Sequence, residues 1–287
     1  MATPSANVNM AHFIPEIWSK KLLKIFDNIV VMKQLVNTDY EGEVKNAGDT
    51  VNVRQFGSVS IGNYTRDANI TFQALTPALE QLTITTQKYF AFTVDDLDAA
   101  QADIGIMEGY SKRAAIAIRD VVDTSLLSNY VNTDAANILG SAAVPIALTS
   151  DNILDYFLRM GQLLDDQKVD QDGRNVVVTP YVKRLIKQHL AQRETPLGDM
   201  VTKNGKVLDD FGGFGVYVST NVPTATNAKP LLFFTRDFIS FVSQVSKVEK
   251  VRPYDMFADA MKGLYLYGHK VFTAHDGTGA VLYSTNA

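Results

Sequence analysis

The chain has 287 residues, 46% hydrophobic and 20% charged, with a formal net charge of -4 at pH 7. That length fits one large domain or two ordinary ones, and the acidic balance argues against a basic nucleic-acid-binding surface, whose affinity comes from clustered Lys and Arg. Without cysteine there is no disulfide framework, thiol nucleophile or Cys-type zinc site, and no window approaches the ~20 consecutive apolar residues of a membrane span.

The N-terminus has no basic segment followed by an apolar one, so no secretory signal is expected. Pro15 and Glu16 suit the start of a helix, and Trp18, Leu22, Ile25, Phe26 and Ile29 recur at helical spacing. The stripe fits a helix covering a core, or an arm whose Trp18 anchors on a neighbouring subunit.

After Asn37 the texture turns to β. Val51 and Val53 alternate with Asn52 and Arg54 after the turn-like Asn46-Ala47-Gly48-Asp49. Leu82, Ile84, Phe90, Phe92 and Val94 share one parity, which predicts a single half-buried strand of roughly 43 Å. Between these, residues 57–77 are polar, with isolated Ile61, Tyr64, Ile70 and Phe72, and Phe56 just before them. A structureless loop of that length is unusual inside a compact domain. Either it is a disordered surface loop, or it is an arm whose apolar contacts lie on another chain.

An acidic junction, Val94-Asp95-Asp96-Leu97-Asp98, leads into a predicted amphipathic helix over 104–131, about 42 Å long at ~1.5 Å per residue. Residues 134–148 read as an Ala/Ser/Gly-rich linker and domain boundary. Ser150 is expected to cap a helix carrying Ile153, Leu154, Phe157, Leu158 and Leu164. Asp170-Gln171-Asp172-Gly173 turns into the strand 175–178, and Pro180 opens another helix. Asn204-Gly205 signals a tight hairpin. Strands are predicted at 215–220 and 231–235, and the last forty residues are read as short strands separated by Gly268 and Asp276-Gly277.

The chemistry-bearing residues form no recognisable site. His12, His189, His269 and His275 lack the i, i+4 spacing of a helical zinc site. Counting from Asp170, a calcium loop would need Gly at position 175 and Glu at 181, where Asn175 and Tyr181 stand. The glycines at 212, 213 and 215 precede a strand, so they do not cradle a phosphate at a helix start. Asp95, Asp96, Asp98 and Asp103 suit the positive end of the following helix. No P-loop or nucleophile elbow is present. An enzyme is therefore not expected, and no cofactor or metal is assigned.

Five stretches in order resemble the major capsid proteins of tailed double-stranded DNA bacteriophages with the Hong Kong 97-type fold. They are Phe13-Ile14-Pro15-Glu16-Ile17-Trp18, Gly48-Asp49-Thr50-Val51-Asn52-Val53, Phe90 to Asp98, Gly173 to Pro180, and Gly213 to Pro223. The resemblance implies an α+β fold with an N-terminal arm (1–42), an extended β loop (43–89), a peripheral domain with a spine helix (90–148), an axial domain (149–245) and peripheral return strands (246–287). It implies a homo-oligomer of pentamers and hexamers forming an icosahedral shell around phage DNA, held without sequence-specific contacts. It also implies a virion assembled in the host cytoplasm, with a separate scaffolding protein and a portal as partners. With the arm motif starting at Phe13, no long scaffolding segment is expected ahead of it. No covalent crosslinking is expected, although Lys45, Asn63 and Asn69 lie in the arm. The candidate inter-subunit contacts are Trp18, Arg54, Phe56, Ile61, Tyr64, Arg66 and Phe72. The alternatives are an encapsulin-like nanocompartment shell and a phage tail or adhesion component.

Overall fold

The computed structural model describes residues 31–41, 50–55, 59–63, 66, 69, 72–74, 78–95, 106–192, 210–254 and 257–285. The predicted helix around Trp18, the hairpin at Asn204-Gly205 and the aspartates at 96, 98 and 103 lie outside them. In chain order the elements begin with α1 (Val31–Leu35), β1 (Thr50–Gln55), β2 (Ala78–Thr83), β3 (Thr86–Asp95) and α2 (Ile106–Leu127). Then come β4 (Ile138–Leu139), α3 (Ile153–Asp166), β5 (Asn175–Val178), α4 (Pro180–Ala191), β6 (Asp210–Phe211) and β7 (Phe214–Val218). The chain ends with β8 (Ala228–Phe234), β9 (Ser240–Val251), β10 (Ala258–Lys270) and β11 (Gly279–Thr285).

Among the described residues there are three sheets: a two-stranded ribbon β1-β2, a three-stranded sheet β3-β10-β9, and a six-stranded sheet β4-β11-β8-β5-β7-β6. The apolar runs of β5, β8 and β11 are continuous because the six-stranded sheet is buried on both faces. Val176, Val178, Leu231, Phe233, Ala280 and Leu282 face α3 and α4, where they meet Ile153, Phe157, Met160, Val182 and Ile186. Val177, Leu232, Phe234 and Val281 face the other way and join α1, the long helix α2 and β10 in a second core with Met32, Leu35, Ile118, Val122, Leu126 and Tyr267. One sheet therefore separates two cores, and the strand period of two assigns each residue to its side.

Capping is local and legible at α4, where Pro180 occupies the first turn and the Thr179 hydroxyl accepts from the Val182 amide. At α3 the expected Ser150 cap is replaced. Asn152 precedes the helix, and its side-chain oxygen accepts from the Thr149 amide, so it closes the entry turn instead of capping.

Several expectations are corrected. The single strand from Leu82 to Val94 is two strands in two sheets: β2 pairs with β1, whereas β3 pairs with β10. The shared parity survives because each half has its own core: Leu82 and Ile84 pack with Val51, Val242, Leu266 and Phe272, and Phe90 and Phe92 with Ala115, Val248 and Met261. The break coincides with Gly268, where an added Cβ would stand 2.3 Å from the Thr83 carbonyl oxygen. The short strands expected around Gly268 are one thirteen-residue strand, β10, that runs straight through it. A glycine inside a strand here marks close backbone approach and not a strand end.

The long helix ends at Leu127 and tightens into a 3-10 turn, Ser128–Asn132. The expected linker 134–148 is fastened to the sheet. Ile138 and Leu139 pair in parallel with Val281 and Leu282, and buried Asn137 donates to the carbonyls of Gly277 and Gly279, both at 2.9 Å. β9 spans Ser240–Val251, and 279–285 shares the six-stranded sheet with 138–139 and 228–234.

The turn after α3 is held by one side chain. Arg174, with 5% of its side chain exposed, donates to the carbonyls of Asp170 (2.8 Å), Val169 (2.7 Å) and Gly161 (3.3 Å) and to Asp165 Oδ1 (2.6 Å). The guanidinium holds the Asp165 carboxyl below the usual carboxylate range. Arg174→Met removes three carbonyl partners at ~1 kcal/mol each and is expected to cost about 3 kcal/mol. The half-exposed ion pair to Asp165 adds little. Chemical denaturation with an unchanged m-value checks this loss.

Candidate assembly surface

The β1-β2 ribbon projects from the three-stranded sheet. Its register runs from Thr50↔Thr83 at the base to Gln55↔Ala78 toward the tip. Alternation sends Val51 and Leu82 inward at the base, where they join Ile84, Leu266 and Phe272. Beyond the base that core ends. Val59 is 67% exposed, Ile61 97%, Phe72 91% and Leu79 65%. Across the tip, the Ser60 amide and hydroxyl both donate to Gln73 Oε1, at 2.9 and 2.7 Å. Ser60 and Gln73 are thus tied together while the side chains of Val59, Ile61 and Phe72 stay in water.

Glu80 fixes the ribbon to the body. Its carboxylate accepts from the Thr273 amide at 3.0 Å and pairs with Lys270 Nζ at 3.0 Å. Burial alone would raise its pKa, but the Thr273 and Lys270 contacts outweigh it and hold the carboxyl at about 2. A depressed folded-state pKa gives stability that is present above the ordinary carboxylate range and lost as pH falls toward about 2. Glu80→Gln is therefore expected to cost about 1 kcal/mol at neutral pH, after allowance for solvent screening. It should also flatten the acid limb of the stability profile, as read by thermal melts across the acid range.

Of the sequence-derived contact candidates, Arg54, Ile61, Arg66 and Phe72 all lie exposed on this projection. Trp18, Phe56 and Tyr64 lie outside the described residues. Two exposed features were not picked out from sequence. The β9-β10 hairpin tip carries Tyr254 and Phe257, 107% and 84% exposed; Pro253 within the turn was the available signal. On the outer face of the three-stranded sheet, Tyr89, Phe90, Ala91, Gly263 and Leu264 line an apolar groove of about 440 Å³. The ribbon leaves the sheet at the Thr86↔Tyr267 end, and the aromatic tip lies beyond the opposite end, at Asp95↔Ala258. Exposed apolar side chains are thus present beyond both ends of one sheet.

Catalytic geometry is not what the polar clusters offer. Among the described residues no group of three His, Asp or Glu side chains could hold a metal ion. Ser125 Oγ lies 2.8 Å from His269 Nε2, and the Asn129 amide lies 2.9 Å from Nδ1. This row ties α2 to β10, and burial pushes the His269 pKa down. The Asn129 amide, in the 3-10 turn, also donates to the Leu126 carbonyl at the end of α2, so the row is engaged within the fold. His189 Nδ1 donates to the Ser150 carbonyl, 2.5 Å away, and fastens α4 to the turn before α3.

Residues 79–282 match the family described as phage capsid protein, which takes in the long helix, the three-stranded sheet and all of the six-stranded sheet but the last three residues of β11. The chain belongs to the phage capsid protein family. It is a structural subunit of a self-assembling shell, located in the virion, and not an enzyme. Solved structures carry the same fold. A chain of Mycobacterium phage Che8 aligns with a TM-score of 0.75 at 22% identity, over 88% of this chain and 90% of that one. The capsid of the cyanophage P-SCSP1u gives 0.68 at 15%, over 88% and 86%. The virus-like particle from Pyrococcus furiosus gives 0.58 at 14%, over 93% and 98%. No curated protein matches the chain. The Hong Kong 97-type fold expected from the five sequence stretches is the fold observed, and the family match sets the chain among capsid subunits, apart from tail or adhesion components.

Proposed function

We propose that copies of this major capsid protein associate as pentamers and hexamers that close into an icosahedral shell around phage double-stranded DNA. The observation that supports this most is the β1-β2 ribbon, beyond whose base the described apolar residues Val59, Ile61 and Phe72 are exposed. Surface of that kind is satisfied when the ribbon lies across the next subunit, and cyclic symmetry repeats the contact until the ring closes. Arg54, Ile61, Arg66 and Phe72, with Trp18, Phe56 and Tyr64, are the proposed contacts. Closure then multiplies modest interfaces into a stable particle.

The net charge of -4 fits a wall that encloses DNA without gripping it. A separate scaffolding protein and a portal complete the proposed assembly pathway in the host cytoplasm, and the finished shell is held without covalent crosslinks. A second reading, a nanocompartment shell enclosing protein cargo, is favoured by the likeness to the virus-like particle from Pyrococcus furiosus. Electron microscopy of the purified protein, followed by analysis of the particle contents, tests both. Closed shells with vertices of two ring sizes and packaged DNA support the proposal. Open rings or monomers overturn it, and closed shells containing protein cargo favour the second reading.

A further inference from the structure

α1 and the turn after it rest on α2 through Met32, Leu35 and Val36, which pack against Ile118, Val122 and Leu126. Just beyond, Asn37 is stitched to the start of β9, donating to the Ile239 carbonyl at 2.9 Å and accepting from the Phe241 amide at 2.8 Å. Within this contact sits a carboxyl group. Asp123 lies on α2, is only 3% exposed, and its Oδ1 atom has no hydrogen-bond partner. Its polar contact across the interface is the backbone amide of Met32, on α1. An ionised carboxylate so enclosed loses its hydration and recovers little of it.

We propose that Asp123 is a proton-operated latch: α1 seats firmly on α2 when the Asp123 carboxyl is protonated and loosens when it ionises. The charged groups around it do not remove the penalty. On its own helix it sees the Arg119 guanidinium and the Asp120 carboxylate. Arg119 is already engaged with Asp120 at 2.6 Å, and Asp120 also accepts from the Asn221 amide at 3.2 Å. On α1 the charged side chain is Lys33, which pairs with Glu41 at 3.3 Å. The other elements of this core bring the phenols of Tyr130, Tyr265, Tyr267 and Tyr283. His269 is stacked on Tyr267.

The direction follows from burial, which raises the Asp123 pKa to about 6 against opposing effects of Arg119 and the Met32 amide. A raised folded-state pKa gives stability that is complete below the ordinary aspartate value and lost as pH rises through about 6. His269 acts with the opposite sign, since burial lowers its pKa and acid works against it. Its partners are Ser125 on α2 and Asn129 in the 3-10 turn that follows, so its protonation loosens the contact of this end of α2 with β10 and not the seat of α1.

Hydrogen exchange on the full-length protein, followed by mass spectrometry at about pH 5 and about pH 8 and corrected for intrinsic exchange, reads the latch directly. Residues 32–37 are expected to lose protection by at least ~10-fold on going to the higher pH, and Asp123→Asn should abolish that change. An unchanged pH response in Asp123→Asn, or none in the parent protein, overturns the proposal. If Asp123→Asn does not fold, Arg119→Gln decides. Removing a charge that favours the carboxylate must move the midpoint for residues 32–37 to higher pH, and an unmoved midpoint rejects the latch.

Discussion

Replacing Ile61 and Phe72 together by aspartate leaves a folded subunit that does not close into shells. Both side chains are almost fully exposed, at 97% and 91%, so the isolated subunit loses no packing and its stability should stay within about 0.5 kcal/mol of the parent. In an assembled particle the same positions are proposed to be covered by a neighbour. There each buried side chain contributes roughly 1.5–3 kcal/mol, and a carboxylate in its place would be desolvated. The loss recurs at every copy of the interface, so assembly fails as a whole instead of weakening gradually. Electron micrographs and sedimentation of Ile61→Asp/Phe72→Asp check the outcome. Normal particles from this variant would remove the ribbon tip from the assembly interface.

Gly268→Val is the most damaging single change expected within the subunit itself. At this point β10 passes under the joint between β2 and β3. An added Cβ would lie 2.3 Å from the Thr83 carbonyl oxygen and 3.0 Å from the carbonyl carbon. These are backbone atoms and cannot swing aside as a side-chain end would. Relief requires separating the ribbon base from the sheet, disturbing the cluster of Val51, Leu82, Ile84, Leu266 and Phe272. The expected cost is about 3 kcal/mol, typical of forcing atoms into a filled site. Gly268→Ala should show most of the loss, because the first carbon makes the clash. Equilibrium denaturation measures it, and a change below about 0.5 kcal/mol in both variants would refute the close-approach account.

Position 268 also shows where reading the sequence stops. The β texture on either side of Gly268 was legible from alternation, but whether the glycine ends a strand or admits a crossing backbone depends on Thr83, 185 positions earlier in the chain. The same limit merged β2 with β3. Leu82, Ile84, Phe90, Phe92 and Val94 keep one parity, and parity alone does not reveal that the pairing partner changes between them. By contrast, β5 and α4 follow from local chemistry: an apolar run flanked by Gly173, then Thr179 and Pro180 at a helix start. The exposed ribbon was legible as a shortage of apolar residues. The aromatic hairpin tip was not, because Tyr254 and Phe257 look like core residues until β9 and β10 are known to carry them into solvent.

The placement of β11 bears on when a chain becomes competent. It lies between β4 and β8, inside the six-stranded sheet, and supplies Val281 to one core and Ala280 and Leu282 to the other. Without residues 279–285 the two-residue β4 has no strand to join and β8 becomes an edge. A product truncated before them is expected to leave Ile138, Leu139 and the β8 edge unpaired. Such a fragment is expected to leave both cores open, and with them the surfaces through which the proposed rings would form.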